Sequence, residues 1–118
     1  MTAQPEQYGG ELIPRPERTP EALRQALAVV APQRLEEMAE QRDKAVAEAL
    51  EENSLTPLRA WILTWARDIE IARRPELAAR YKDALHRMHN ARSDEATVKA
   101  AADDLSKVLD EAMVAVRR

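Results

Sequence analysis

A single segment at residues 56–75, TPLRAWILTWARDIEIARRP, contains both tryptophans of the chain and signals for a helix start and a helix end. The Thr56-Pro57 pair is typical of a helix start, because a threonine side chain can accept a bond from a first-turn amide and proline has no N–H to leave unpaired. The Arg74-Pro75 step predicts the helix end, because a residue before proline is disfavoured in the α conformation.

An apolar stripe at helical spacing runs along this segment and consists of Leu58, Trp61, Ile62, Trp65, Ile69 and Ala72. We therefore expect this helix to lie at the centre of the core. The two tryptophans are interpreted as core residues, since large aromatic side chains dominate small cores. A ligand cage formed by the two rings is the alternative interpretation.

Similar start signals occur on both sides of this helix, at Thr19-Pro20-Glu21 and at Ser93-Asp94-Glu95. Pro32 and Pro75 separate the remaining apolar periodic segments. The sequence therefore predicts an all-α fold, a small four- to five-helix bundle at 19–118 with a flexible or extended N-terminal arm at 1–18 and a long C-terminal helix. The predicted helices cover about 20–31, 33–52, 57–74, 75–91 and 94–116.

The composition fits one domain of this kind and excludes several classes of site. The chain has 118 residues, 45% of them hydrophobic, and no cysteine, which rules out disulfides and thiolate metal sites. The N-terminal segment lacks the basic and apolar regions of a signal peptide, and no apolar run approaches the length of a membrane span. We expect a cytoplasmic protein that does not enter a membrane.

Residues with catalytic potential are sparse. Asp83, His86 and His89 share one face of the fourth predicted helix, a pattern that can bind a divalent metal, but no further histidine completes the set. The serines lack a glycine-rich elbow, and the two glycines lie together near the N-terminus. The sequence therefore predicts no enzyme activity, no cofactor and no metal site.

Charge is divided unevenly along the chain, although the net charge is only −3. Residues 33–58 carry seven acids against three bases, whereas residues 59–92 carry eight bases against four acids. Arg73, Arg74 and Arg80 in the basic span could bind nucleic acid. The favoured interpretation is that the basic span pairs with the acidic face of the second helix.

Two apolar features predict a protein partner. Leu12 and Ile13 form a small patch on the N-terminal arm, and Leu105 and Val108 belong to a near-heptad stripe on the last helix. We expect a non-enzymatic protein–protein interaction module that uses these residues, with a second copy of the chain among its candidate partners. A nucleic-acid-binding regulator that uses the basic span is the alternative.

Several of these motifs together resemble a known family. The run Thr19-Pro20-Glu21-Ala22-Leu23-Arg24, the Leu55-Thr56-Pro57-Leu58 start, Trp65 and the Arg74-Pro75-Glu76 break look like those of small helical actinobacterial proteins of unknown activity. Some members of that family resemble the partners encoded beside toxin-like proteins. The resemblance implies a helical fold, is compatible with an antitoxin-like regulator, and implies no catalytic residues.

Overall fold

The computed structural model describes residues 10–90 and 94–118, and in these ranges the chain forms helices and no strands. The all-α prediction is confirmed, as is the long C-terminal helix. A short 3₁₀ turn at Pro32–Arg34 leads into the second helix. The α-helices are α1 (Pro20–Val30), α2 (Leu35–Glu52), α3 (Thr56–Arg73), α4 (Pro75–Asn90) and α5 (Glu95–Arg117).

The helix starts agree with the predicted signals at one position and differ at two. Thr19 is the N-cap of α1, and its hydroxyl accepts a hydrogen bond from the Ala22 amide at 3.2 Å. Thr56 is not a cap, because it already lies in the first turn of α3; its own amide donates to the Ser54 hydroxyl at 3.1 Å. Asp94 caps α5, while Ser93 lies outside the described residues. A short polar side chain just before each helix can supply the acceptor, so the sequence indicates the start more surely than the capping residue.

The core is organised around α3, as expected. Trp61, Trp65 and Ile69 are buried against α1 and α2 in the larger of two apolar clusters. Ile71, in the last turn of α3, belongs to the smaller cluster with side chains from α4 and α5. Because α3 contributes to both clusters, burial extends around much of its circumference, and polar residues in its second half are also buried.

Helix α2 is attached to the bundle along a narrow strip. Only Met38 and Ala45 are buried on this 18-residue helix, among the residues described. Two further apolar side chains of α2 lie outside this strip: Val46 is exposed, and Leu50 is 79% exposed. The apolar face of α2 is wider than the strip that its neighbours cover.

The described part of the N-terminal arm, residues 10–18, contains no helix and lies against the C-terminal half of α3. The Leu12 amide donates to the Arg73 carbonyl at 2.7 Å, and the Ile13 side chain packs against the larger apolar cluster. The arm therefore reaches the N-terminus of α1 by passing along α3. None of the helices described is both long and apolar enough to cross a membrane.

Candidate functional site

An apolar groove runs along the outer side of the α2–α3 hairpin. Its walls and floor come from both helices and from the turn between them, and we call it the α2–α3 groove. Its apolar lining consists of Val46, Ala49, Leu50, Leu55, Leu58, Trp61 and Ile62.

The groove is continuous because its depressions share lining residues. Depressions of about 330 and 310 Å³ meet at Val46 and Leu58. A further depression of about 380 Å³ adjoins the second at Trp61, Arg42 and Pro20 of α1. Depressions of this size lined by apolar side chains can receive side chains of a partner.

The rotation of α2 that exposes one wall of the groove is fixed by polar contacts to the tryptophans. The Trp61 indole N–H donates to the Met38 carbonyl at 3.2 Å, and that of Trp65 donates to the Gln41 amide oxygen at 3.1 Å. Because both contacts are made by one side of α2, the adjacent stripe with Val46 and Leu50 is left facing outward. The two rings do not form a ligand cage, because Trp65 is buried and the Arg34 guanidinium lies 4.5 Å from the centre of its ring, whereas Trp61 alone lines the groove.

A second polar feature, which we call the Glu70 cluster, lies at the other end of α3 and consists of Glu11, Arg15, Glu70, Arg73 and Arg74. The Glu70 side chain has no exposed surface, and it accepts hydrogen bonds from Arg15 and Arg73 at 2.8 Å each. Arg73 also donates to the Glu11 carboxylate and to the Ile13 carbonyl, both at 2.9 Å. These bonds connect the arm to α3.

The charge of Glu70 is well compensated. Burial by itself would raise the pKa of this carboxyl, but the hydrogen bonds and positive charges of Arg15 and Arg73 outweigh it and lower the pKa to about 2. No buried side-chain nitrogen or oxygen lacks a hydrogen-bond partner in the described part of the chain. A carboxylate that is ionised, enclosed and fully bonded is suited to holding structure and has no free lone pair for proton transfer.

The residues predicted to bind a partner have different surroundings in the structure. Leu12 is 59% exposed, whereas Ile13 packs on the core. Val108 is 1% exposed, inside the smaller apolar cluster with α4, and Leu105 is half-buried. Of these four residues, Leu12 presents an accessible apolar side chain.

The residues predicted for nucleic-acid binding are all engaged in ion pairs. Arg73 pairs with Glu70 and Glu11 as described above, and Arg74 and Arg80 both reach Glu111 of α5 at 3.0 Å. The basic span is expected to pair with the acidic face of α2; these three arginines do pair with acids of the chain, but those acids lie outside α2, so the expected partner helix is wrong for them. Their acidic partners come from the arm, α3, α4 and α5, since these are the elements that meet at the C-terminal end of α3.

Two of the three side chains considered for a metal, Asp83 and His86, have protein partners. Asp83 accepts a hydrogen bond from Arg87 at 2.9 Å, and His86 lies 2.8 Å from the Asn90 side-chain nitrogen. Within residues 10–90 and 94–118 there is no group of three histidine, aspartate or glutamate side chains that could hold a metal ion.

Sequence reasoning missed both the groove and the Glu70 cluster, although each had a signal. Val46 and Leu50 extend the apolar face of α2 beyond what one neighbouring helix can cover. Glu70 follows Ile69 on a helix that is apolar on several sides, where a carboxylate needs a compensating charge. The width of the apolar face of α2 indicates the groove, and the burial of α3 on several sides indicates the Glu70 cluster.

The fold and the groove together define a class, an all-α bundle with an open apolar surface on one helical hairpin. Comparison of the chain with family models, with curated proteins and with solved structures gave no match in any of the three. A proposal about the function is therefore argued from the residues and their geometry.

Proposed function

We propose that this chain is a non-enzymatic protein-interaction module that binds a partner protein in the α2–α3 groove. The observation that carries the proposal is the clustering of exposed apolar side chains. Of the six large apolar side chains exposed in the described residues, Val46, Leu50 and Leu55 line one depression of the groove. Clustered exposed apolar side chains mark interaction sites more often than scattered ones do.

The proposed partner surface lies on α2 and α3 and not on the last helix, α5. Val108 is enclosed by α3, α4 and α5, so using it would require the smaller apolar cluster to open. Leu50 and Leu55 need no such opening, because both are mostly exposed. A preformed surface avoids the ordering cost that an opened core would add to binding.

An antitoxin-like or other regulatory role belongs to the proposal as its more specific part. It is supported by the family resemblance of the motifs at residues 19–24, 55–58 and 74–76, and it names the first class of partner to look for, a toxin-like protein. The alternative, a nucleic-acid-binding regulator, has weaker support, since Arg73, Arg74 and Arg80 each pair with a carboxylate of this chain.

Photo-crosslinking in cells tests the proposal. A benzoylphenylalanine replaces Leu50 in one variant of the full chain and Val114 in a matched control, because both side chains are apolar and exposed and Val114 lies on α5, outside the groove. We expect a discrete crosslinked polypeptide from position 50 and not from position 114. The same product from both positions, or none from position 50, would contradict the proposal.

A further inference from the structure

The arginines of this chain fall into two groups that differ in their surroundings. Seven of the eleven arginines between residues 10 and 90 form ion pairs with acids of the chain, namely Arg15, Arg34, Arg67, Arg73, Arg74, Arg80 and Arg87. The other four, Arg18, Arg24, Arg42 and Arg59, have no ion pair with any described residue, and all four line depressions of the groove region.

These four cations stand at the edges of the apolar floor. Arg24 and Arg42 line the depression beside Trp61, and Arg18 and Arg59 line the one beside Ile62. Glu21 is the single acid among the described residues that line these depressions, and its carboxylate accepts a hydrogen bond from Gln25. The groove therefore combines an apolar floor with a positively charged rim, on a chain whose net charge is −3.

The shape of the groove selects the form of an occupant. Its walls are helices, whose backbone groups are already bonded within each helix, so they cannot pair with the backbone of an extended peptide. A helix fits such walls, because its own backbone groups are already bonded to one another. The exposed side of α2 from Ala39 to Leu50 extends roughly 17 Å, the length of about three helical turns.

From these observations we infer that the α2–α3 groove receives an acidic amphipathic helix of a partner protein, with its apolar face on Leu50 and Leu58 and carboxylates near Arg42 and Arg59. This inference rests on the proposed function and specifies the partner's chemistry. A second copy of this chain is disfavoured, because an isologous contact would bring the positive rim against its own copy. Nucleic acid would match the arginines but would leave the apolar floor uncovered.

Two designed 18-residue helical peptides test the inference by fluorescence anisotropy with the full chain. Both carry the same leucine stripe, and the flanking positions are glutamate in one and lysine in the other. Non-specific attraction to a chain of net charge −3 would favour the lysine peptide, so a preference for glutamate must be local. At low salt we expect the glutamate peptide to bind at least about tenfold more tightly, with the difference shrinking as salt is added.

Variants connect that preference to the rim. The double variant Arg42→Gln/Arg59→Gln should bind the glutamate peptide about fivefold or more weakly than the wild type, since rim charges act on charged partners. The matched control, Lys82→Gln with Lys107→Gln, removes two exposed cations from α4 and α5 and should leave binding unchanged.

The outcomes separate the two proposals. If both peptides bind equally and Leu50→Lys abolishes both, the acidic preference is overturned and the groove stands as a docking site. This inference is overturned if neither peptide binds. It is also overturned if the chain self-associates through the groove, which would be seen as self-association that Leu50→Lys disrupts. In both cases crosslinking from position 50 still decides the proposed function.

Discussion

The guanidinium of Arg15 holds the carboxylate of Glu70 in a two-point ion pair, with Nε to Oε1 at 2.8 Å and Nη2 to Oε2 at 2.9 Å. A bidentate pair of this kind fixes orientation as well as distance. The arm is thereby aligned along α3, and the carboxylate is shielded from solvent at the place where the arm, α3 and α4 meet.

Removing the charge of Glu70 should destabilise the fold strongly. Glu70→Gln leaves Arg73 buried beside a neutral amide, and breaking a buried pair in this way costs about 3–5 kcal/mol. The measurement is urea unfolding followed by circular dichroism. The matched control is Glu76→Gln, an exposed partner of Arg74, for which we expect a change below about 0.5 kcal/mol. Equal effects of the two variants would contradict a special role for Glu70.

The same carboxyl predicts how stability depends on pH. Because the pKa of Glu70 falls from the ordinary value of 4.5 to about 2 on folding, its contribution is fully present above pH 4.5 and is lost as the pH falls toward 2. The shift corresponds to about 3 kcal/mol. The difference in unfolding free energy between the wild type and Glu70→Gln should therefore shrink between pH 5 and pH 2. A difference that stays constant over that range would count against the lowered pKa.

Loss of the ion pair that holds the arm against α3 should be measurable as faster hydrogen exchange at the Leu12 amide. Arg15→Ala removes the bidentate pair, and we expect the Leu12 amide, which donates to the Arg73 carbonyl, to exchange with deuterium about tenfold faster, equivalent to about 1.5 kcal/mol. Glu17→Ala, an exposed substitution in the same arm, is the control. If Leu12 keeps its protection in Arg15→Ala, the remaining bonds of Arg73 are sufficient to hold the arm.

The attachment of α2 should depend on Trp65. Trp65→Phe removes the bond to Gln41 and part of the buried volume, so we expect a loss of about 1–3 kcal/mol in unfolding free energy. Leu50→Ala, on the exposed wall of the groove, should change stability by less than about 0.5 kcal/mol. Denaturant titration measures both. A large loss in Leu50→Ala would mean that Leu50 is covered in solution, by a second copy or by another segment.

Neutralising the basic span should affect folding and not duplex binding. We expect Arg73→Gln to destabilise the protein as Glu70→Gln does, because it removes the other charge of the same buried ion pair. Arg80→Gln, on an exposed pair, tests nucleic-acid binding without that complication. When a labelled DNA duplex is titrated at about 50 and 200 mM salt, we expect Arg80→Gln to have no lower affinity for the duplex than the wild type. Steeply salt-dependent binding that weakens in Arg80→Gln would restore the nucleic-acid alternative.

What could be predicted from sequence here was local. Thr19 and the Arg74-Pro75 step act on their own turn of the chain, so their patterns gave the helix bounds to within a few residues. The width of α2 that its neighbours cover is a property of packing, and the periodicity of Val46 and Leu50 could not distinguish a buried face from an open groove. Glu70 meets Arg73 and Arg74 at helical spacing, but its pair with Arg15 and the pair of Arg73 with Glu11 join residues 55 and 62 positions apart, where no periodic pattern indicates them.

The link between the arm and α3 also sets an order of events during synthesis. Arg15 precedes Glu70 by 55 residues, and Glu11 precedes Arg73 by 62, so the arm emerges from the ribosome well before the residues that hold it exist. Closing so long a loop carries an entropic cost that the completed α3 must repay. The arm therefore reaches its final position only after α3 has been made, although its residues precede α3 in the chain.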